Sequence, residues 1–498
     1  MPCLCCASAR CRSSFSEGRA IALTAGRTAA SARLIEGPIT PGLLRFALPL
    51  LMSNLLHALA ATWAAAWAGQ VLGANALTAV ATGSVLMLML MGAVMGIGTA
   101  AAVAIGQSLG AGDVGAVKRV VGTSLAFVMG FGVAAAAAGW LLTPSIIGWM
   151  GTPEPSRAFA ITHLRATCLS MPSIFTYLVM VMMMRGTGDS KTPFLFTLIW
   201  IGLTGLLGPL LLTGAYGFPH LGIAGLGLGS LIANAMALAA LVLYVYRHRL
   251  PIALQGADLR HLRLDPILLS LLLRRGLPQA METIIVQGAY FVMLAMVNAH
   301  GAATAAAYAG AAQLWAYVQL PANALAASMS AMAAMNIGAG RWDRVEGIAL
   351  RGCLASLVVS GAVMALVFAL GPLPLRLFIP QGGEVLALAW HINLIVLWGW
   401  IALSASMGLF GVMRANGATL APMLVFAATM WFMRVPFAWG LQPWLGADAI
   451  WWSFPFSAMC CAVMALAWHR WGGWRRRGLM LAELNELPAA GDESRLGE

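Results

Sequence analysis

Long apolar runs separated by short polar segments dominate the chain from about residue 40 to residue 471. The stretch from Phe46 to Gly112 has 67 residues without Asp, Glu, Lys or Arg, and the stretch from Thr192 to Tyr246 has 55. A helix needs about 20 apolar residues to cross a membrane, so each of these stretches holds two helices. The same measure applied along the chain predicts twelve transmembrane helices.

The composition excludes a soluble protein. Of the 498 residues, 60% are hydrophobic and 9% are charged, and the mean hydropathy is +0.84. An ordinary soluble domain has roughly 25% charged residues. The net charge of +12 does not indicate nucleic-acid binding, because the basic residues lie between the apolar runs and form no single patch. The predicted fold is an all-α integral membrane protein.

The distribution of basic residues predicts the topology. If both termini are cytoplasmic, 25 of the 29 Lys and Arg residues fall on the inner side. Arg157 and Arg376 fall outside, and Arg165 and Arg434 fall within helices, toward their outer ends. By the positive-inside rule this distribution predicts a multi-pass protein of the inner, or plasma, membrane with both termini in the cytoplasm.

An internal repeat divides the chain into two halves. A shift of 228 to 229 residues aligns Leu48-Pro49 with Leu277-Pro278, and Met184-Arg185 with Met413-Arg414. Each half contains six spans, and an even number returns the second half to the same side, so the two bundles are expected to be parallel. The predicted parts are a disordered cytoplasmic tail (1–40), an N-lobe (41–246), a cytoplasmic linker (247–266), a C-lobe (267–471) and a cytoplasmic C-terminal tail (472–498).

Several motifs resemble the multidrug and toxic compound extrusion (MATE) family, from about Pro38 to Trp471. They are Phe46-Ala47-Leu48-Pro49, Gly106 to Gly112 and Arg185 to Pro193, with looser copies at Asn336 to Gly340 and Arg414 to Thr419. The resemblance implies twelve helices in two parallel six-helix repeats. It also implies export of drug-like, often cationic amphipathic compounds by alternating access, driven by inward H⁺ or Na⁺.

The loop motifs have a structural interpretation beside the functional one. Glycine supplies left-handed backbone at a helix C-terminus, and an arginine there can bond the last free carbonyls. The functional alternative is gating of the cytoplasmic opening by Arg185 and Asp189.

Glu282 is the one acidic residue that the apolar pattern places inside a span, the seventh. Buried carboxylates are costly in a membrane and usually functional. With Gln279 and Gln287, Glu282 is predicted to form a polar strip that holds the coupling ion, either H⁺ or a bound Na⁺. The alternative is that Glu282 lies near the interface and pairs with Arg274 or Arg275.

The chain departs from the family pattern at two positions. Many relatives carry an Asp late in span one, where this chain has Ala64, and another in span ten, near Leu403. The choice between H⁺ and Na⁺ therefore stays open. His57 is a second candidate for ion coupling, because imidazole titrates near pH 6.5. The alternative is a neutral histidine bonded between helices.

Amide and tyrosine side chains on the faces of the lobes are candidates for substrate binding, although polar side chains also hold helices together. Met and aromatic residues around a few amides suit loose recognition of varied compounds. Span eight is the favoured wall, because Pro321 frees backbone groups there. The predicted residues are Asn54, Tyr290, Gln313, Tyr317, Gln319 and Asn393.

Two other functions are alternatives to drug export. A lipid-linked saccharide flippase of the same wider superfamily should line its cavity with several Arg or Lys. A membrane enzyme should carry clustered His, Asp or Glu at catalytic spacing, and none appears. We therefore predict a transporter that is not an enzyme, with no cofactor and no metal beyond H⁺ or Na⁺. Its expected partners are small molecules and the lipid bilayer, with no nucleic acid, and the chain is expected to be a monomer.

Overall fold

The structure is a computed structural model, and it describes residues 29–72, 74–149, 154–379 and 382–475. Within these ranges the side chains are described too, except at residues 29, 61, 64–86, 88–89, 154–156, 215 and 223. In chain order the α-helices are α1 (Ala29–Glu36), α2 (Ile39–Leu72), α3 (Ala74–Ala111), α4 (Val114–Trp149), α5 (Glu154–Cys168), α6 (Met171–Gly186), α7 (Lys191–Thr213), α8 (Ile223–Arg247), α9 (Pro266–Asn298), α10 (Ala302–Val318), α11 (Leu320–Gly338), α12 (Trp342–Leu370), α13 (Leu373–Arg376), α14 (Gly383–Ala415), α15 (Leu420–Ala427), α16 (Val435–Leu445) and α17 (Asp448–Trp471).

Most of these helices are long and apolar enough to cross a membrane. Ten pass this test within the described residues, and the bent pair α5–α6 makes an eleventh. The broken pair α10–α11, of 17 and 19 residues, occupies the place predicted for span eight and is not among them. With that pair, the described part of the chain forms six helical passes in each lobe. The all-α membrane fold predicted from the sequence is therefore confirmed.

The two halves differ in which pass is bent. In the N-lobe, α5 and α6 meet at a 52° bend, whereas the C-lobe equivalent, α14, is continuous. In the C-lobe the break falls at Gln319, between α10 and α11, whereas the N-lobe equivalent, α3, is continuous. Each break is followed by a proline, Pro172 or Pro321, at the start of the next helix. Proline cannot donate the backbone hydrogen bond that would continue the preceding helix.

Glycines allow close contact between the lobes. A Cβ atom at Gly96 of α3 would overlap the carbonyl oxygen of Gly276 in α9. Likewise, a Cβ at Gly338 of α11 would overlap the carbonyl oxygen of Gln107 in α3. Small residues let helix backbones approach closely where hydrophobic driving force is absent. The lobes thus pack backbone to backbone at the end of the molecule that carries the loop motifs.

The last part of the predicted N-terminal tail is not disordered. Residues 1–28 lie outside the described residues, but Ala29–Glu36 forms α1. Asn336 Nδ2 donates to the carbonyl oxygen of Leu34 at 3.1 Å, and Arg344 Nη2 donates to that of Gly37 at 2.6 Å. The C-lobe therefore satisfies the free carbonyls at the C-terminus of α1, which stabilises the helix there.

Ion pairs connect the predicted linker to the N-lobe. Lys118 Nζ lies 2.6 Å from Asp258 Oδ2, and Arg119 Nη2 lies 3.1 Å from Asp265 Oδ2. The hydrogen bond from Lys118 lowers the pKa of Asp258, and the backbone N–H of Gln255 adds to the effect. Asp265 also caps α9, because its Oδ1 accepts hydrogen bonds from Ile267 and Leu268.

Candidate functional site

A cavity of about 630 Å³ lies within the C-lobe, between α9, α10, α11, α14, α17 and the segment that joins α15 to α16. Its wall combines apolar and aromatic side chains, such as Trp315 and Trp400, with several amides. Among the described residues, Glu282 and Arg434 are the two charged side chains that line it. Sites for small molecules are concave and largely apolar with a few polar groups, and this cavity has that character.

Glu282 is buried in the wall of this cavity and bound to an arginine from another helix. Arg414 Nη2 donates to both carboxylate oxygens of Glu282, at 2.6 and 2.7 Å. The two side chains are 11% and 12% exposed. The alternative prediction, an interfacial Glu282 paired with Arg274 or Arg275, is wrong about both burial and partner. In a buried pair of this kind, the mutual attraction offsets part of the cost of removing both charges from water.

The loop after α14 holds Arg414 in position. Gly417 has a φ of 81°, a left-handed conformation that ends the helix, as the loop motif predicts. Arg275 Nη1 donates to the carbonyl oxygen of Gly417 at 3.1 Å, which connects the loop to α9. The predicted bonding of the motif arginine to the end of its own helix is wrong for Arg414, since its Nη2 donates to Glu282 instead.

Four of the predicted polar residues meet in the C-lobe cavity. Gln287 and Tyr290 of α9 line it, as do Gln313 and Gln319, which lie in and just after α10. Gln279 does not join them, because it lies with Thr99 and Arg414 in a separate small pocket against α3. Of the predicted strip, Glu282 and Gln287 therefore face the same cavity.

Arg434 is a lining residue that the sequence analysis placed toward the outer end of its helix, without a functional role. It is 5% exposed and ends a π-helical segment, Ala428–Arg434. Its Nε donates to Ser457 Oγ at 2.8 Å, and its guanidinium carbon lies 4.4 Å from the ring centre of Phe454. Segments of π-helix often occur at functional sites.

Three predicted substrate-binding residues lie elsewhere. Asn393 is fully buried and its Oδ1 accepts a hydrogen bond from Trp315 Nε1 at 2.6 Å, so it positions a residue of the cavity wall. The Tyr317 hydroxyl lies 3.3 Å from Thr62 Oγ1 of the N-lobe, within hydrogen-bond distance. Asn54 lines neither of the two large cavities.

His57 lines a second cavity, of about 760 Å³, in the N-lobe. Its ring centre lies 5.1 Å from that of Trp200. The structure gives His57 no hydrogen bond to a described residue, so a histidine bonded between helices is not what it shows. A second histidine, His163, also lines this cavity, and the other lining residues are apolar, aromatic or hydroxyl-bearing. His57 and Glu282 therefore belong to different cavities.

The structure places three of the four residues at the two departures from the family pattern and at the predicted gate. The side chain of Ala64 lies outside those described, whereas Leu403 lines the C-lobe cavity.

At the predicted gate, Asp189 Oδ1 accepts hydrogen bonds from the backbone N–H groups of Lys191 and Thr192, so it caps α7. Arg185 is half-buried at the end of α6, and its Nε makes no hydrogen bond within the described residues.

Comparisons with known proteins agree with the repeat. The family model named MatE matches residues 49–210 and 278–439, two segments 229 residues apart. The chain belongs to the MATE family. It is 30% identical over 434 residues to "Probable multidrug resistance protein YoeA" of Bacillus subtilis strain 168, covering 87% of this chain and 93% of that protein. It is 25% identical over 446 residues to "Probable multidrug resistance protein YpnP" of the same organism, covering 88% and 97%.

A solved MATE structure, the complex of a MATE protein with MaL6, has the same fold. The TM-score is 0.83 at 18% sequence identity, over 91% of this chain and all of the other. At this identity the likeness concerns the fold alone. Within the MATE fold, the roles of the lining residues follow from this chain's own geometry.

The positions of Arg414 and Arg434 beside the C-lobe cavity were not predicted from the sequence. Nothing in the local sequence connects Arg414 to an acid 132 residues earlier, so its role needed the tertiary structure. Arg434 did carry a signal, because an ionisable residue inside an apolar span is a functional candidate by default.

Proposed function

We propose that this MATE-family membrane protein exports drug-like amphipathic compounds in exchange for H⁺ or Na⁺, by alternating access between its two lobes. The position of Glu282 carries the proposal. This carboxylate lines the C-lobe cavity and binds Arg414, and it lies on α9, which also packs against the N-lobe. The names of the relatives YoeA and YpnP support drug resistance as the biological role.

The two sides of α9 connect ion binding to lobe packing. Glu282 faces the cavity, and its neighbour Thr283 lies beside Gly92 of α3. About two turns earlier on α9, Gly276 contacts Gly96 of α3. Neutralising Glu282 removes its attraction for Arg414 and alters the packing of α9 beside this inter-lobe contact. A ligand shifts a conformational equilibrium only through such a difference between states.

The Arg414 pair favours H⁺ over Na⁺ as the coupling ion. A proton that binds Glu282 cancels the charge that holds Arg414. A sodium ion has to compete with a guanidinium that already donates to both oxygens. The missing Asp near Leu403 removes a further carboxylate ligand for Na⁺ from the cavity wall.

The N-lobe cavity offers a place for the apolar part of a drug. Trp63 and Trp200 line it together with Leu56 and Leu59. Flat aromatic surfaces recognise varied ring systems by stacking and apolar contact. The flippase alternative is less favoured, because the relatives are named as multidrug resistance proteins and one arginine, Arg434, lines the C-lobe cavity.

The test is ethidium transport by purified protein in liposomes, with a proton gradient and a sodium gradient imposed separately. Wild type should transport ethidium with the proton gradient, and E282Q should lose gradient-driven transport. Because E282Q leaves Arg414 without its counter-ion, the double variant E282Q/R414Q is measured as well and should also fail to couple. The control is E384Q, which changes an exposed acid at the start of α14. Wild-type transport by folded E282Q/R414Q would refute Glu282 as the coupling residue.

A further inference from the structure

The charges around the C-lobe cavity do not cancel. Glu282 contributes one negative charge, and Arg414 neutralises it through two hydrogen bonds. Arg434 contributes a further positive charge, and the structure gives it no ion pair with any described acid. Arginine stays protonated in proteins. Among the described residues, the balance of charge around this cavity is therefore positive.

The contacts of Arg434 leave donors free. Its recorded hydrogen bond uses Nε, and the acceptor is the hydroxyl of Ser457. The face of the guanidinium lies over Phe454, which supports the charge through a cation–π contact but accepts no conventional hydrogen bond. The terminal nitrogens have no hydrogen-bond partner among the described residues. A buried guanidinium with free donors favours a carboxylate or phosphate ligand, which it can bind through two parallel hydrogen bonds.

The local backbone places this arginine in the cavity wall. The π-helical segment Ala428–Arg434 interrupts the pass formed by α15 and α16. Trp431 within it donates from Nε1 to the carbonyl oxygen of Ile285 at 3.0 Å, which fixes the segment against α9. In the N-lobe the equivalent helix α7 is regular, and the 229-residue repeat places Gly205 at the position of Arg434. The cationic feature is therefore specific to the C-lobe.

The surrounding groups suit the rest of an anionic ligand. Trp315, Trp400 and Tyr290 line the same cavity and offer aromatic surface. Gln313, Gln319 and Asn323 offer amides that bond varied polar atoms. A cation in this cavity would meet Arg434 and a carboxylate already occupied by Arg414.

We propose that the C-lobe cavity binds substrates that carry an anionic group, a phosphate or carboxylate, on a flat aromatic body, with Arg434 as the anion-binding residue. This inference rests on the proposed transport function, because it names the substrate class of one of the two cavities. It departs from the cationic compounds that the family resemblance implies. The anion can come from a soluble compound or from a lipid headgroup, and the experiment separates these sources.

The test compares two fluorescent flavins that share one ring system and differ by a phosphate: riboflavin 5′-phosphate and riboflavin. Binding is measured on the full chain in nanodiscs of phosphatidylcholine. Wild type should bind the phosphate at least about tenfold more tightly than riboflavin, the order expected for one charged hydrogen-bonded contact. R434Q should lose this preference, and R434K should keep part of it.

The matched control is R165Q. Arg165 is also an arginine within a helix beside an aromatic ring, 5.4 Å from the centre of Trp140, but it lies in the N-lobe. R165Q should keep the full preference for the phosphate. If wild type shows equal or undetectable affinity for the two flavins, or if folded R434Q keeps the preference, the proposal is wrong. The wild-type comparison decides the question even if R434Q does not fold.

Nanodiscs with added phosphatidylglycerol distinguish the two sources of the anion. If the lipid phosphate occupies Arg434, it should weaken riboflavin phosphate binding to wild type and have no effect on residual binding to R434Q. If the site takes soluble anions, the added lipid should not change the affinity for riboflavin phosphate.

The variant E282Q separates this proposal from the coupling proposal. Removal of the acidic charge should tighten or preserve phosphate binding while gradient-driven transport is lost.

Discussion

Arg414 Nη2 binds both carboxylate oxygens of Glu282, at 2.6 and 2.7 Å, across 132 residues of sequence. The arginine belongs to a loop motif that occurs in both lobes, with Arg185 as its N-lobe counterpart. At the position equivalent to Glu282, the 229-residue repeat places Ser53, whose Oγ donates to the carbonyl oxygen of Pro49. The motif arginine of the C-lobe therefore has an acidic partner, Glu282, whereas the N-lobe has the hydroxyl of Ser53 at the equivalent position.

The first prediction concerns the stability of this pair. R414Q should destabilise the protein by about 3–5 kcal/mol, because it leaves Glu282 buried without a counter-ion. E282Q should cost a similar amount for the same reason. E282Q/R414Q should recover most of the loss, since it buries two neutral groups that can bond one another. The measurement is thermal unfolding of purified protein in detergent.

R414K is the conservative control for that cycle. Lysine keeps the positive charge, so R414K should lose less stability than R414Q. Additive effects of E282Q and R414Q in the double variant would mean that the two side chains do not interact energetically.

The second prediction concerns the contact between the lobes. G96A should destabilise this contact by about 1–3 kcal/mol, since the added Cβ overlaps the carbonyl oxygen of Gly276 and the backbone has to move. Because α3 and α9 then move apart, disulfide cross-linking between cysteines introduced on the two helices should be slower in G96A than in the protein without this change. The control is G202A in α7, where a Cβ meets no atom within 4 Å. Equal cross-linking rates in G96A and wild type would contradict the close contact.

The apolar pattern was enough to predict the helical passes, because hydrocarbon requires long apolar segments with internal hydrogen bonds. It was also enough to select Glu282, since burial of a charge is unusual in such a segment. The pattern did not distinguish cavity residues from interior ones. Asn393 and Gln313 are both amides on apolar helices, yet Asn393 binds Trp315 and Gln313 lines the cavity. The difference is the direction of each side chain in the packed lobe, which depends on helix rotation and on residues far away in sequence.

The third prediction tests the positioning role of Asn393. N393L should destabilise the C-lobe by about 1–3 kcal/mol, because the indole N–H of Trp315 loses its acceptor inside the protein. W315F/N393L should be less destabilised than the sum of the single variants, since both polar partners are then absent. Thermal unfolding of the four proteins measures this coupling. If N393L unfolds at the wild-type temperature, Asn393 does not hold Trp315 in place.

The last prediction concerns pH and the linker between the lobes. The hydrogen bond from Lys118 holds the pKa of Asp258 below its usual value of 3.8 in the folded protein. The pKa of Asp258 is therefore lower in the folded protein than in the unfolded chain. At pH values above its pKa in the unfolded chain, ionised Asp258 stabilises the fold, and this contribution disappears as the pH falls through its pKa in the folded protein. D258N should therefore lower stability at pH 7 by at most about 1 kcal/mol, because the pair is partly exposed and water weakens the attraction. The difference in unfolding temperature between D258N and wild type should shrink as the pH falls below about 4. K118M should reproduce both effects, because it removes the same bond. A difference that is unchanged between pH 7 and pH 3 would mean that the amide alters the linker by a route other than the lost charge.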